Sequence, residues 1–598
     1  MFANRKVERY FYVIFLAALV SASSLILIPS DPKNAWFLSF SRSRVLIFLA
    51  AMTIAIATAG LAIGYQKTIT LRKLLDSLLN LLKAHKQIIY WTLTIGLILD
   101  LLVLAGTPYR YPSLRAEILR LAPLLILAAF WMLWTLFHLR FTPRRRTLEI
   151  VFLAVLSVTL LGPYLTWTRT HAIEKNPVRT SSDQGDYLDF TRAVYETGFR
   201  YTGSRNRMPA YPFLQAIFFD PDLSNDEAFE RGKQINIYLS VVLIFGLFLL
   251  TKLRLEMIPA AGFTMVCAFG LFIFKAGYFQ AELLYYFNFF VTFLLMVASI
   301  KRATLPLGAL TGAWTALTYL TKASVAPTLA AFFLVMIGRE LISLVRYRKN
   351  GDSVHNAIKK SAPTLTVVPG FIVCFLLVLS PYLLQNKQIY GRFFYNVNST
   401  FYVWYDNWDQ AKAGTRAAGD RSGWPDMPAE EIPTMRKYLA EHSANDILVR
   451  LQVGLASQFE VLRNPYGGFN YPLILLLSWL IISALTWPDW LDQFHKNTAP
   501  IAFLILFFSL NLISIAWFAP IADYSVTRLT FTLYLPFCFS MYYSISKTAQ
   551  RPILSLPVNL KVNGNKLLTG AGVLLIGLVL LDVLFFVQPA LRAGYFGK

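Results

Sequence analysis

The chain has 598 residues, of which 56% are hydrophobic, 15% aromatic and only 15% charged, with a mean hydropathy of +0.50. Soluble domains carry roughly 25% charged residues, so this composition argues against a disordered chain and against a water-soluble enzyme of several domains. The 56 Lys and Arg outnumber the 33 Asp and Glu, giving a net charge of +23. In a soluble protein that excess would suggest nucleic acid; here it indicates basic loops held on one side of a bilayer, with no nucleic-acid partner. Cys267, Cys374 and Cys538 lie in apolar stretches away from any Cys/His spacing, so neither a disulfide framework nor a thiolate metal site is expected.

A membrane-spanning helix needs about 20 mainly apolar residues, and about fifteen such stretches are present. They lie near 10–29, 45–64, 88–107, 121–138, 149–167, 235–251, 258–274, 282–300, 304–320, 324–342, 364–384, 471–487, 498–518, 526–546 and 567–588. The expected fold is therefore an all-α polytopic membrane protein with about 14–15 transmembrane helices. The pair at 304–342 is separated only by Thr321-Lys322. Arg5, Lys6 and Arg9 precede the first stretch, which ends Val20-Ser21-Ala22. That ending is acceptable to a signal peptidase, but we read a retained first helix. Residues 65–87 place Leu71, Leu74, Leu75, Leu78, Leu79 and Leu82 at helical spacing in a basic context, as in an interfacial helix.

Orientation follows from the basic loops. With a cytoplasmic N-terminus, Lys67, Arg72, Lys73, Lys83, Lys86, Arg140, Arg144–Arg146, Lys301, Arg302 and the 346–360 segment all fall inside. The two long loops, 168–234 and 385–470, are near charge balance and fall outside. No internal repeat or pair of broken helices suggests an inverted-repeat transporter.

The first long loop contains Asp183-Gln184-Gly185-Asp186-Tyr187-Leu188-Asp189, then Gly198, then Arg205-Asn206-Arg207-Met208-Pro209-Ala210-Tyr211-Pro212. Three carboxylates in seven residues could simply solvate a loop. Close to a bilayer, a carboxylate can also take a proton from an acceptor hydroxyl, while Arg205 and Arg207 can hold a phosphate leaving group. Pro209 and Pro212 would stiffen the backbone beside them.

This pattern of D-x-x-x-Y, a downstream Gly, and a basic residue before x-P-x-Y-P resembles the first external loop of the GT-C membrane glycosyltransferases. The likeness is to the bacterial aminoarabinose transferase and protein O-mannosyltransferase group. It implies a GT-C type fold with two larger extracytoplasmic loops, and an inverting transfer of a sugar from a polyprenyl-phosphate donor. It also implies that Asp183 is the catalytic carboxylate and that Arg207 binds the donor phosphate. Where many relatives have Asp-Glu, this chain has Asp183-Gln184, and it adds Asp186 as a second candidate base.

Weaker matches follow in order. Glu282 in Gln280-Ala281-Glu282 resembles the family's helix-end glutamate, with a paired role opposite Lys275 as the alternative. Gly312 and Leu317–Lys322 resemble a helix end whose Lys322 would meet the donor phosphate; an interfacial snorkelling lysine is the plainer reading. Pro381-Tyr382 with Asn386 and Gly391 resembles the entrance to the second external loop, with Gln385 where relatives have arginine. Arg528 resembles a late arginine beside the donor. The likeness covers roughly 145–545, leaving 1–140 as added helices, 141–384 as the core with its catalytic loop, 385–470 as the second loop and 471–598 as C-terminal helices.

The second loop interleaves Phe393-Phe394-Tyr395, Phe401-Tyr402, Trp404-Tyr405 and Trp408 with Asp406 and Asp409. Trp404 and Tyr405 are candidates for a sugar platform, or for a belt on the lipid headgroups. Together with Tyr187, Arg205, Tyr211 and Glu282 they complete the expected substrate contacts. Asn398-Ser399-Thr400 matches a glycosylation sequon, a triplet common by chance. No P-loop, dinucleotide fingerprint or H-E-x-x-H occurs, and no cytoplasmic nucleotide-sugar domain with D-x-D is seen. No cofactor is expected, and a carboxylate-held divalent ion stays open. Asp100 and Asp582, inside apolar stretches, read as buried structural groups.

With that resemblance the sequence reads as a transferase acting at the extracytoplasmic face, and the resemblance implies a bacterial inner membrane. Its partners would be a polyprenyl-phosphate-linked sugar, a lipid, protein or glycan acceptor, and the surrounding membrane lipids. A lipid or polysaccharide flippase, a glycan polymerase or ligase, and a scaffold without chemistry are the rivals.

Overall fold

A computed structural model describes residues 42–67 and 146–597, apart from short stretches at 180–182, 204, 350–353, 421–422, 464–465, 467, 486–496, 523–525, 550–553, 556–560 and 563, with a few isolated positions before 78. The stretches expected at 88–107 and 121–138, most of 10–29 and of the 65–87 amphipathic segment, and Asp100 lie outside the described residues. The chain divides into two compact units, Met1–Arg146 and Thr147–Lys598. In the first, one helix is described, α1 (Arg42–Lys67).

The second unit is helical, and the protein is a helical polytopic membrane protein. Among the described residues, seven helices are long and apolar enough to cross a membrane, with two shorter apolar helices besides. The unit opens with α2 (Arg146–Thr159), which runs through a π turn at Leu160–Tyr164 into α3 (Leu165–Glu174). Pro163 lies in that turn, where a missing N–H is accommodated by the wider winding. The first loop then forms α4 (Gln184–Glu196) and α5 (Ala210–Ala216).

The helix α6 (Asn225–Lys252) begins with a reciprocal cap between Ser224 and Glu227. Next come α7 (Met257–Cys267), continuing through a π turn to Lys275, and α8 (Glu282–Lys301). The long apolar run at 304–342 is two helices, α9 (Leu305–Thr321) and α10 (Ala326–Lys349), and the polar Lys322 marks the break. The helix α11 (Val354–Tyr390) follows.

The second loop folds into short turns, α12 (Met435–Glu441) and α13 (Ala444–Arg463). Then come α14 (Tyr471–Leu485), α15 (Thr498–Ala522), α16 (Val526–Thr530) and α17 (Tyr534–Ala549). A two-residue antiparallel pairing of β1 (Leu554–Ser555) with β2 (Lys561–Val562) precedes α18 (Gly564–Asp582) and α19 (Gln588–Ala593).

Small residues set the closest helix contacts, as expected where lipid supplies no hydrophobic drive between helices. A Cβ at Gly312 of α9 would stand 2.1 Å from the Phe371 carbonyl oxygen of α11, and one at Gly454 of α13 would stand 2.0 Å from that of Ala516 on α15. The helix α13 departs from the usual amphipathic sense. Buried Arg450 and Gln458 donate to the Trp517 and Leu512 carbonyls of α15, at 2.9 Å each. Leu448, Val449, Val453, Phe459 and Leu462 are exposed on its outer side. Exposed Gln452 and Glu460 share that side, so the outer surface of α13 is mixed rather than wholly polar. Asp582 is fully buried, accepting from the Gly468 N–H at 2.9 Å and the Tyr471 hydroxyl at 2.6 Å, which meets the requirement that an intramembrane carboxyl be partnered.

Candidate active site

The site is built at helix ends. Asp183 is the residue before α4, its carbonyl accepting the Tyr187 N–H at 3.3 Å, but its carboxylate does not cap the helix. It turns instead to two arginines. Arg207 Nη2 lies 2.7 Å from Asp183 Oδ1, and Arg528 Nη1 lies 3.1 Å from Asp183 Oδ2. Arg207 also reaches Asp186 Oδ2 at 3.0 Å.

The helix α4 is held by its apolar face, with Tyr187, Leu188, Phe190 and Val194 buried. It stops at a left-handed Gly198 (φ 59°), where the Gly198 N–H bonds the Tyr195 carbonyl at 3.0 Å and the Phe199 N–H bonds the Val194 carbonyl at 2.8 Å. Gln184, the residue after Asp183, is a buried amide rather than a carboxylate. Its amide is fully buried, donates to Asn176 Oδ1 at 2.7 Å, and accepts from Asn176 Nδ2 and the Phe279 N–H, both at 2.8 Å. A carboxylate could not donate there, and burying its charge would be costly.

Arg528 links Asp183 to Glu282, and Glu282 in turn pairs with Lys322. Glu282 is the first residue of α8, Lys322 the residue after α9, and Arg528 sits within α16. Arg528 Nη1 is 3.3 Å from Glu282 Oε1, and Lys322 Nζ is 3.4 Å from the same oxygen. Glu282 therefore pairs with Lys322 and Arg528; Lys275, the alternative partner, donates to the Phe596 carbonyl. The Glu282 side chain is 4% exposed, and its Oε2 is buried without a hydrogen-bond donor among the described residues. Lys322 is 25% exposed and is the most open of the three cations, with Arg207 at 12% and Arg528 at 11%.

Burial acts to raise the Asp183 carboxyl, but Arg207 and then Arg528 overcome it and hold it down at about 2. Arg207 is in turn held above its usual value, its partial burial outweighed by Asp183. Among the described residues no group of three or more His, Cys, Asp or Glu could hold a metal ion.

The remaining candidates fall into two places. The Arg207 guanidinium lies 5.5 Å from the Tyr187 ring centroid, and Tyr187 meets Tyr211 edge-on at 5.4 Å. Tyr187 is 6% exposed and Tyr211 not at all, with the Tyr211 hydroxyl accepting from Gln215 at 2.9 Å. Tyr211 is thus a floor beneath Tyr187 rather than a surface for substrate, because its edge is sealed by Tyr187, Gln215 and Phe279. Arg205, also expected to touch substrate, turns away to Tyr402 and Asp420 of the second loop. Trp404 packs on Trp517 and Tyr438, and the Tyr405 hydroxyl accepts the Thr415 N–H at 2.9 Å, so both help to fold the second loop.

Gln385, placed where an arginine was anticipated, accepts from the Thr202 N–H and hydroxyl and so clamps the first loop. Two groups went unnoticed in the sequence. Asp420 follows a glycine-containing turn with no motif around it, and the Asp406–Tyr438–His442–Arg450 cluster draws on residues spread over the whole loop.

Compared with family models, with curated proteins and with solved structures, the chain matches none.

Proposed function

We propose that this protein is an inverting, GT-C type glycosyltransferase that moves a sugar from a polyprenyl-phosphate donor to an acceptor hydroxyl at the extracytoplasmic face of the membrane. The observation that carries the reading is the gathering of Asp183, Arg207, Glu282, Lys322 and Arg528 from five separate segments of the chain into one chain of ion pairs. A phosphodiester donor bears one negative charge and releases a polyprenyl phosphate bearing two, so cations fixed where that charge grows favour the transition state.

In this scheme the acceptor oxygen attacks the anomeric carbon as its proton passes to Asp183. The bond from that carbon to the phosphate oxygen breaks on the opposite side, and its electron pair leaves with the phosphate. Lys322, Arg528 and Arg207 receive the phosphate, and Lys322 is the first contact because it is the most exposed. The buried Glu282 Oε2 is suited to a sugar hydroxyl, since an unmet acceptor of that kind gains most from a donor.

A carboxylate held at about 2 is a weak base at rest. A donor phosphate that draws Arg528 and Lys322 onto itself would lift part of that restraint and raise the basicity of Asp183. Donor binding would then prepare the base before the acceptor reacts. The test is to supply the purified full-length protein in lipid nanodiscs with a panel of radiolabelled polyprenyl-phosphate sugars and membrane-derived acceptors. Label passing to an acceptor with inverted anomeric configuration supports the reading; transport of intact donor across the bilayer without bond cleavage would favour a flippase.

A further inference from the structure

Among its described residues, the stretch that carries Arg207, between α4 and α5, has no helix or strand of its own. It is pinned from outside at three points. The Thr202 N–H and hydroxyl bond Gln385 at the end of α11. The Arg205 carbonyl accepts the Val397 N–H at 2.9 Å. The Arg205 guanidinium reaches the Tyr402 hydroxyl at 3.3 Å and Asp420 Oδ1 at 3.6 Å.

Asp420 is the unusual member of this clasp. Its side chain has no exposed surface, while that of Arg205 is 15% exposed. The Tyr402 hydroxyl donates to Oδ1 at 3.2 Å, and Oδ2 is buried with no donor among the described residues. The Asp420 backbone is fixed as well, its N–H bonding the Thr415 carbonyl at 3.1 Å and its carbonyl accepting from the Tyr395 hydroxyl at 3.2 Å. A carboxylate this buried is stable only with a cation beside it, and Arg205 is that cation. Arg205 and Arg207 are two residues apart, a reach of about 7 Å along an extended backbone. A shift at Arg205 is therefore delivered to Arg207, whose guanidinium must keep its 2.7 Å contact with Asp183.

We infer that Asp420 is a positioning residue: through its ion pair with Arg205, the second loop holds Arg207 against the Asp183 carboxylate. The inference rests on the reading of Asp183 and Arg207 as the working pair, but its geometry can be tested without any sugar transfer. Loss of the Asp420 charge would let Arg205 swing toward solvent and loosen Arg207, leaving Asp183 less shielded and easier to protonate. Asp420 would then be felt at Asp183, which sits at the far end of the clasp.

The experiment labels carboxyl groups of the full-length protein in nanodiscs with a water-soluble carbodiimide and glycine methyl ester, from pH 7 to pH 5, and quantifies each site by peptide mass spectrometry. Arg207→Gln is the positive control and should raise Asp183 labelling. Asp420→Asn should raise it roughly threefold or more at pH 5, with the buried Asp582 still unlabelled to show that the fold is intact. Asp409→Asn, an exposed change on the same loop, should have no effect, and Arg205→Lys should stay near wild type. If Asp420→Asn does not insert, Arg205→Gln breaks the same pair from the other side and is read identically. Wild-type labelling of Asp183 in both Asp420→Asn and Arg205→Gln, with Arg207→Gln elevated, overturns the inference. Failure of the wild-type protein to transfer sugar would instead strike the proposed function and leave this result standing.

Discussion

One guanidinium nitrogen, Arg528 Nη1, bridges Asp183 Oδ2 at 3.1 Å and Glu282 Oε1 at 3.3 Å. It thereby joins the first loop to the start of α8, while the Tyr286 hydroxyl bonds the Arg528 carbonyl at 2.8 Å and fixes α16 from behind. Arg528→Lys keeps the charge but replaces the planar guanidinium, whose Nη1 reaches both carboxylates, with a compact ammonium on a flexible stem. Transfer should fall about 10²-fold, the scale of losing one fixed donor to a developing charge. Arg528→Gln should in addition move the acidic limb of the pH–rate profile upward, because Asp183 loses one of the two arginines that depress it. An unchanged limb would show that Arg528 does not act on Asp183.

The same depression of Asp183 has a consequence for stability. Its carboxyl is lowered to about 2, below the usual value near 3.9, so its pairing contributes fully above about pH 4 and is lost as pH falls towards 2. The melting temperature of wild type should therefore exceed that of Asp183→Asn by a constant margin from pH 7 to about pH 5, and the margin should shrink below pH 4. Differential scanning fluorimetry in detergent measures it.

His442 works in the opposite sense. Its Nδ1 meets the Tyr438 carbonyl at 2.9 Å and its Nε2 meets Asp406 Oδ2 at 3.2 Å, so both nitrogens donate only in the imidazolium. Slight burial opposes the charge, but the Tyr438 carbonyl and Asp406 outweigh it and raise the group above its ordinary value. Its stabilising effect is present below about pH 6.5 and fades as pH rises through the raised value. Amide exchange in α12 should accelerate as pH passes that point, beyond the intrinsic rate increase. His442→Gln should abolish the extra acceleration.

How much of this was legible in the sequence depends on which force set each feature. The spanning helices announce themselves because hydrocarbon demands long apolar runs, and Lys322 marked the break between α9 and α10 because a charge ends such a run. Asp183 and Arg207 stood out by motif. Asp420 did not, since its partner Arg205 lies on another loop and nothing local in Thr415–Asp420 signals burial. Trp404 and Tyr405 suggested an open platform because composition cannot tell a ring that faces solvent from one that packs on Trp517. The face of α13 was hidden for a related reason: its exposed side mixes apolar and polar residues, so periodicity alone does not say which side is core.

Packing gives a further expectation. At Gly454 a side chain would collide with the Ala516 backbone, which cannot move aside as a side chain tip could. Gly454→Leu should destabilise the protein by about 1–3 kcal/mol by forcing α13 off α15. Gly338→Ala, with nothing within 4 Å of its Cβ, should leave the melting temperature unchanged or slightly higher. Equal effects of the two substitutions would argue against the close crossing.

The decisive measurement is sugar transfer from a radiolabelled polyprenyl-phosphate donor by purified Asp183→Asn and Asp186→Asn, each matched to wild type for membrane abundance and assayed well below its own melting temperature. Asp183 is gripped by two arginines, whereas Asp186 is 58% exposed on the rim and touches only Arg207 among the described ion pairs. The account predicts a loss of at least about 10³-fold for Asp183→Asn and less than about tenfold for Asp186→Asn. Near-normal turnover by Asp183→Asn would contradict it, whatever Asp186→Asn does.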